Sequence, residues 1–388
     1  MKRIFDEVHG TIELDDVATS LVDEPVFQRL RRIRQTSLAY IVYPGANHTR
    51  FSHSLGAYYL TEKIGKKLVK EGFISDSELN DVKIASLLHD IGQFPFSHAI
   101  ESFYIKKGFS NKDLRDLILM SSFDEAIEKY GLDLKRIREI LNGETLLTSL
   151  IDGDVDVDRM DYLLRDSIHT GIQLGRIDLE RLIFTITYNE SGITVQDKGI
   201  ISLENFYLSR LHMYQAVYYH KTILGYELFL TSLYSKMIEE CETRLNVEDI
   251  KSMISYGTFP YWDDEWIFGS LYRCYSNSSN STLSQMIKDF LDRRGPKVIY
   301  DEIGYGDKGD NEFKEATEKL SRVIPSDSIY PFEEIINIFD KSRIKVISKD
   351  KELSLSEYPT LLNTIPEKLV IRRVYVDRRY AEKAREML

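Results

Sequence analysis

A chain of 388 residues, 43% of them hydrophobic, is long enough to bury a large core and a second unit. Its 62 acidic side chains against 51 basic ones give a net charge of −11, which argues against a broad nucleic-acid footprint, and no apolar run reaches signal-peptide or membrane-span length. A soluble, cytoplasmic protein without a membrane partner is expected, and its two cysteines, Cys241 and Cys274, too few for a disulfide framework or zinc ribbon, read as semi-buried thiols.

Helical periodicity dominates the first 240 residues. Asp23 before Pro25 reads as an N-cap, and Val26, Phe27, Leu30 and Ile33 continue at helical spacing to Gln35. A second helix is predicted from Ser52 to Lys70, with Leu55, Tyr59 and Leu68 inward. Val82, Ala85, Leu88 and Ile91 mark a third that carries His89 and Asp90. Between Ile183 and Ser202 the pattern breaks into a hairpin, Phe184–Tyr188 and Ile193–Val195 around Asn189–Gly192. Helix resumes from Leu203 to about Leu245. Beyond Gly257, Pro260–Trp262, Ser276–Thr282 and Gly304–Gly309 read as loops. Ile344–Ser348 and Leu369–Val376 read as strands, and a charged helix closes the chain from Arg378.

The adjacent His89-Asp90 pair carries the strongest chemistry. With His53 upstream and Asp158 downstream it makes four candidate ligands whose nitrogens and carboxylates suit a divalent metal such as Zn, Mn, Fe or Ni better than calcium. The acidic run Asp152, Asp154, Asp156, Asp158 is not a calcium loop, because Val157 and Leu163 stand where that loop needs glycine and glutamate. His98 and Glu101, three residues apart on one helical face, suit an imidazole oriented by a carboxylate. Taken alone, Arg29, Arg31, Arg32 and Arg34 read as a solvated helix face.

Asn47–Ser54, His89–His98 and Asp156–Tyr162, flanked by Asp6–Gly10 and Tyr218–Lys221, follow the order and approximate spacing of a known family. From about Lys2 to Lys221 the chain resembles the HD-domain phosphohydrolases, closest to the deoxynucleoside triphosphate triphosphohydrolases, including the animal enzyme with a sterile-alpha-motif domain. The resemblance implies an HD-domain helical bundle; together with the hairpin pattern and the change of texture beyond Gly257, the expected fold is mainly α, with the bundle and a small β-hairpin insertion over residues 1–245 and a mixed α+β C-terminal subdomain over 246–388.

It further implies a dNTP hydrolase releasing deoxynucleoside and triphosphate. His53, His89, Asp90 and Asp158 would hold one divalent ion, with Mg, Mn, Zn, Fe, Co and Ni all open. Arg50, Arg159 and Arg210 would contact phosphate, which agrees with guanidinium forks on phosphate oxygens. Gln35 and Asp166 would bind the sugar 3′-hydroxyl, and Tyr162 and Tyr218 would wall the sugar. By the same resemblance His98 would protonate the departing 5′-oxygen beside Glu101. Gln93 stands where the family usually has a histidine, and no histidine occurs between His98 and His169, so the proton-transfer set is reduced. Lys2, Asp23, Gln28 and Arg31 match residues of a guanine-nucleotide activator site between subunits, which implies a homodimer or homotetramer. His9, His48, His169, His212 and His220 are read as structural or supporting, with His9 the likeliest exception. Two alternatives stay open: a nucleotide-binding sensor with weak or no hydrolysis, and a phosphohydrolase or phosphodiesterase with another phosphorylated substrate.

Overall fold

The computed structural model describes all residues except 242–244, 278–279, 307–308 and 350. Parts of the predicted loops at Ser276–Thr282 and Gly304–Gly309 fall outside those described residues, whereas Gly304 and Tyr305 belong to a strand, Lys297–Tyr305. Helices dominate, and the sheets are small.

An antiparallel hairpin, Lys2–Asp6 with Gly10–Leu14, opens the chain, and Gly10 turns it with φ 76°. The helix predicted up to Gln35 is shorter. Pro25–Gln28 is α-helical, Arg29–Arg32 tightens to a 3-10 turn, and Ile33 is extended. The reason is long-range pairing: the Gln35 N–H donates to His48 O at 3.0 Å and the Arg50 N–H to Ile33 O at 2.9 Å, so this segment is drawn into an isolated antiparallel bridge between Arg34 and Thr49 instead. Nor is the basic run a solvated face. Arg29 is fully buried, donating to Trp262 O at 2.6 Å and Gln93 O at 2.9 Å, while Arg32 pairs with Asp263 and Arg34 with Asp264.

Helix Arg50–Lys70 runs through the centre, starting two residues earlier than predicted. Beside it, Asp76–Leu88 starts from a capping box in which Ser75 and Glu78 satisfy each other's backbone donors. This helix ends at Leu88, so the His89-Asp90 pair lies at and just beyond its C-terminus rather than inside it. The tight turn there depends on Gly92, where a Cβ would collide with Asn111 O and the Arg115 backbone. Asp156 caps helix Val157–Thr170 by accepting the Arg159 N–H at 2.7 Å, and Gly171, at φ 77°, ends it. The long helix predicted after Leu203 is two, Ile200–Met213 and Lys221–Glu240, separated by a wide turn at Tyr214–Tyr218.

The predicted hairpin is present as Ile186–Asn189 and Gly192–Gln196, but it is not isolated. Val195 pairs in parallel with Val346, joining it to a second hairpin, Lys345–Ser348 with Lys351–Ser354. A three-stranded antiparallel sheet places Lys368–Val376 between Lys297–Tyr305 and Ile329–Asn337. The closing helix is only Ala381–Arg385. One apolar core extends from Ile12 to Tyr375, and a small second cluster holds Phe313, Leu320, Val374 and Val376. Trp262, predicted in a loop, is fully buried in that core. The two cysteines are not thiols: Cys241, at the end of Lys221–Glu240, is disulfide-bonded to Cys274 on helix Asp264–Asn277, a proximity that their 33-residue spacing does not betray. Among the described residues no helix is long and apolar enough to cross a membrane.

Candidate functional site

Three elements bring His53, His89 and Asp158 to one point. His53 lies one turn into helix Arg50–Lys70, His89 caps Asp76–Leu88, and Asp158 sits in the first turn of Val157–Thr170. The His53 and His89 Nε2 atoms are 3.2 Å apart, and Asp158 Oδ1 is 2.9 Å from the first and 3.7 Å from the second. Each outer ring nitrogen already has an acceptor: His53 Nδ1 donates to Asp161 Oδ2 at 2.8 Å and His89 Nδ1 to Ser86 O at 2.7 Å. Only the Nε2 atoms face inward, and an outer acceptor on each imidazole is the arrangement that orients metal-binding histidines. Nitrogen and carboxylate donors converging within 4.8 Å fit a divalent ion.

Asp90 stands beside this trio rather than within it. Its Oδ1 is 3.7 Å from His89 Nε2, and its Oδ2 accepts Arg50 Nη1 at 2.6 Å. Burial opposes its charge, but Arg50, His89 and His53 outweigh burial and hold the carboxyl at about 2. Burial likewise opposes charge on His53, and hydrogen bonds to Asp158 and Asp161 overcome it, raising the imidazole to about 10. The same bonds from His53 and His89 keep the Asp158 carboxyl ionised against its burial. The acids that favour a proton on His53 and His89 would equally favour a metal cation in its place.

From the metal trio an aromatic wall leads outward. The Tyr162 ring lies 6.5 Å from His53 and 5.9 Å from Tyr218, centroid to centroid. Asp166 accepts the Tyr218 hydroxyl at 2.7 Å and His48 Nε2 at 2.6 Å. Nearby, the Gln35 side-chain oxygen is buried without a partner. Two of the three expected phosphate arginines point elsewhere. Arg159 folds back on Gly153 O and Asp156, and Arg210 donates to Ile338 O at 2.5 Å. Arg50 remains at the centre, gripping Asp90 and Ser97 Oγ together.

His98 is mostly solvent-exposed, its side chain at 81%, and pairs with the buried Glu101 at 3.1 Å. Gln93 donates Nε2 to Asp90 Oδ1 at 3.0 Å, and its buried Oε1 has no partner. Away from the centre, Lys2 pairs with Asp23, Arg31 Nε donates to Gln28 Oε1 at 2.8 Å, and Asp23 lies close enough to favour the Arg31 charge against partial burial. The structure therefore gathers Lys2, Asp23, Gln28 and Arg31 on one surface.

Sequence reading missed Asp161 and its partners. Asp161 accepts His53, His9 Nε2 at 2.7 Å, and both Nε and Nη2 of Arg165 at 2.9 Å, while Arg165 Nη1 reaches Asp6 at 2.8 Å. A Cβ at Gly56 would collide with Asp161 and Arg165, so glycine permits this approach. The signal was available as spacing: Asp158, Asp161 and Arg165 recur at helical intervals on the face that meets His53.

Comparison with known proteins agrees with this geometry. Residues 50–166 match the HD domain, and 177–287 match the HD associated region. A phosphohydrolase structure from Bacteroides thetaiotaomicron is 30% identical and superposes with a TM-score of 0.81 over 97% of this chain and 100% of that one. An uncharacterised Methanocaldococcus jannaschii protein is 39% identical over 258 residues, 65% of this chain and 53% of that protein. The Gallus gallus deoxynucleoside triphosphate triphosphohydrolase SAMHD1 is 32% identical over 279 residues, 61% of this chain and 45% of that protein. The chain thus spans about half the length of these two curated relatives.

Proposed function

Because the chain belongs to the HD-domain phosphohydrolases, we propose that it hydrolyses a deoxynucleoside triphosphate at the α-phosphorus, releasing the deoxynucleoside and inorganic triphosphate. The observation that carries this reading is Arg50, a guanidinium held at the edge of the His53–His89–Asp158 trio and braced by Ser97, where it can meet a phosphoryl oxygen. The triphosphohydrolase name of the Gallus gallus relative supports the substrate class.

His53, His89 and Asp158, with Asp90 adjacent, would hold a divalent ion, which would supply Lewis acidity toward phosphoryl oxygen and water. The chain's own residues do the rest. Arg50 neutralises phosphate charge, and Tyr162 and Tyr218 wall the sugar, with Asp166 and Gln35 offering acceptors for its 3′-hydroxyl. The new oxygen–phosphorus bond forms as the bond to the 5′-oxygen breaks, and His98, oriented by Glu101, gives its proton to that oxygen. Arg159 and Arg210 must release their backbone carbonyls to reach phosphate. On the surface that gathers Lys2, Asp23, Gln28 and Arg31, a guanine nucleotide would act as activator in a homodimer or homotetramer.

Gln93 favours a second reading. Its amide is tied to Asp90 and cannot shuttle a proton, which suits a nucleotide sensor that turns over slowly. The deciding experiment incubates the chain with each dNTP and NTP in Mg²⁺, Mn²⁺, Co²⁺ or Ni²⁺ and separates nucleoside, mono- and diphosphate products. Triphosphate release from dNTPs supports the enzyme; tight binding without product supports the sensor; a nucleoside monophosphate or diphosphate product overturns cleavage of the bond between the α-phosphorus and the 5′-oxygen.

A further inference from the structure

The turn that delivers His98 has an uncommon backbone. Phe96 and Ser97 adopt φ of 51° and 48°, the left-handed region, though neither is glycine. Such conformations are strained for residues with a Cβ and persist where the surroundings over-determine them. Here the Phe96 peptide is held from both sides: its N–H donates to Asp264 Oδ1 at 2.7 Å, and its carbonyl accepts Ser37 Oγ at 3.1 Å.

Asp264 is fully buried and belongs to helix Asp264–Asn277, far along the chain. It does not cap its own helix, because Asp263 accepts the Trp266 N–H there at 2.9 Å. Its second oxygen accepts the Arg34 N–H at 3.0 Å. Arg34 is bridged to Thr49, the residue before Arg50, and Phe96 is the residue before Ser97. One carboxylate thus anchors both backbones that meet in the Arg50–Ser97 contact. Burial pushes the Asp264 carboxyl up to about 6 despite the N–H donors of Arg34 and Phe96, so a buried acid is kept here at a cost to stability.

We propose that Asp264 is a positioning residue for hydrolysis, fixing the Phe96–Ser97 turn so that His98 and Arg50 address the same phosphoryl group. The proposal rests on the reading of His98 as the acid. Asp264→Asn tests it, because an asparagine offers one acceptor and turns a donor toward the remaining N–H.

The full chain is assayed with dATP, dCTP, dGTP and dTTP in Mn²⁺, and Phe96 amide exchange is followed by NMR. Asp264→Asn should lower kcat by about 10- to 100-fold, the scale of a small misplacement of catalytic groups. KM should move by less than about threefold, since the metal trio and the tyrosine wall stay in place and only the aim of His98 and Arg50 changes. Phe96 exchange should accelerate, and manganese stoichiometry should hold. In the His98→Ala background the kcat loss should shrink, since the two residues act as one unit. Ser37→Ala, which removes the carbonyl-side anchor, should give the same signature more weakly and serves if Asp264→Asn does not fold. Unchanged Phe96 exchange, or an equal kcat loss with and without His98, overturns the proposal. His98→Ala alone reports separately on the acid reading, and if no nucleotide is turned over the proposal falls together with that reading.

Discussion

The two ends of this site are held very differently. On the outer side of His53 the partners are buried and paired: Asp161 gathers His53, His9 and Arg165, and Arg165 continues to Asp6 in the N-terminal hairpin. Around His98, a single carboxylate orients an imidazole that stands in solvent, on a turn of strained backbone. The difference separates two tasks. A metal cradle gains from donors fixed in advance, since each misplaced ligand weakens the whole set. A group that passes a proton to a departing oxygen must first meet the substrate, and an exposed imidazole can do so.

The largest effect should come from the fixed end. Asp158→Ala removes the acid shared by both histidines, and metal stoichiometry by elemental analysis should fall to background together with nucleotide hydrolysis. Full metal loading in that variant would break the assignment of the trio. At the exposed end His98→Ala should lower kcat by about 10²–10⁴-fold, the usual worth of a positioned acid, while metal content stays normal. Restoring an imidazole with Gln93→His should raise kcat at nearly constant KM; a lower kcat would mean that the Gln93–Asp90 hydrogen bond matters more than the missing proton shuttle.

Arg165→Met sharpens the comparison on stability. It leaves Asp161 and Asp6 buried without their cation, which should cost about 3–5 kcal/mol in denaturant unfolding. His98→Ala, at a solvent-exposed side chain, should move the same midpoint by no more than about 0.5 kcal/mol. Equal losses would show that the buried network is no more demanding than the surface.

What the sequence revealed follows the same division. His53, His89 and Asp158 were legible because metal chemistry demands particular residue types, and motif spacing places them. The helices Arg50–Lys70 and Asp76–Leu88 were legible because one face of each is apolar. Features that depend on distant partners were not. Arg29–Arg34 reads as a helix until His48 and Asp264 draw its end into extended pairing, and Asp264 itself, one acid among 62 Asp and Glu residues, shows no local pattern. The Cys241–Cys274 bond was hidden for the same reason, since only the packing of two helices brings them together.

The smallest effect concerns Glu227, on helix Lys221–Glu240 behind the His98 turn. Burial pushes its carboxyl up to about 7, against its side-chain interaction with Ser37 and the field of His98, which both favour its charge. Raised above the ordinary value of 4.5, this acid keeps its proton in the folded chain over a range where the unfolded chain has released it. Its contribution to stability is therefore complete below the unfolded value and declines as pH rises through about 7. Glu227→Gln stays neutral throughout. Its melting temperature relative to wild type should accordingly rise between pH 5 and pH 8, and by differential scanning calorimetry the gap at pH 8 should exceed that at pH 5. A gap of the same size at both would mean that Glu227 ionises freely, and that the His98 turn is as open to water on its inner side as on its outer one.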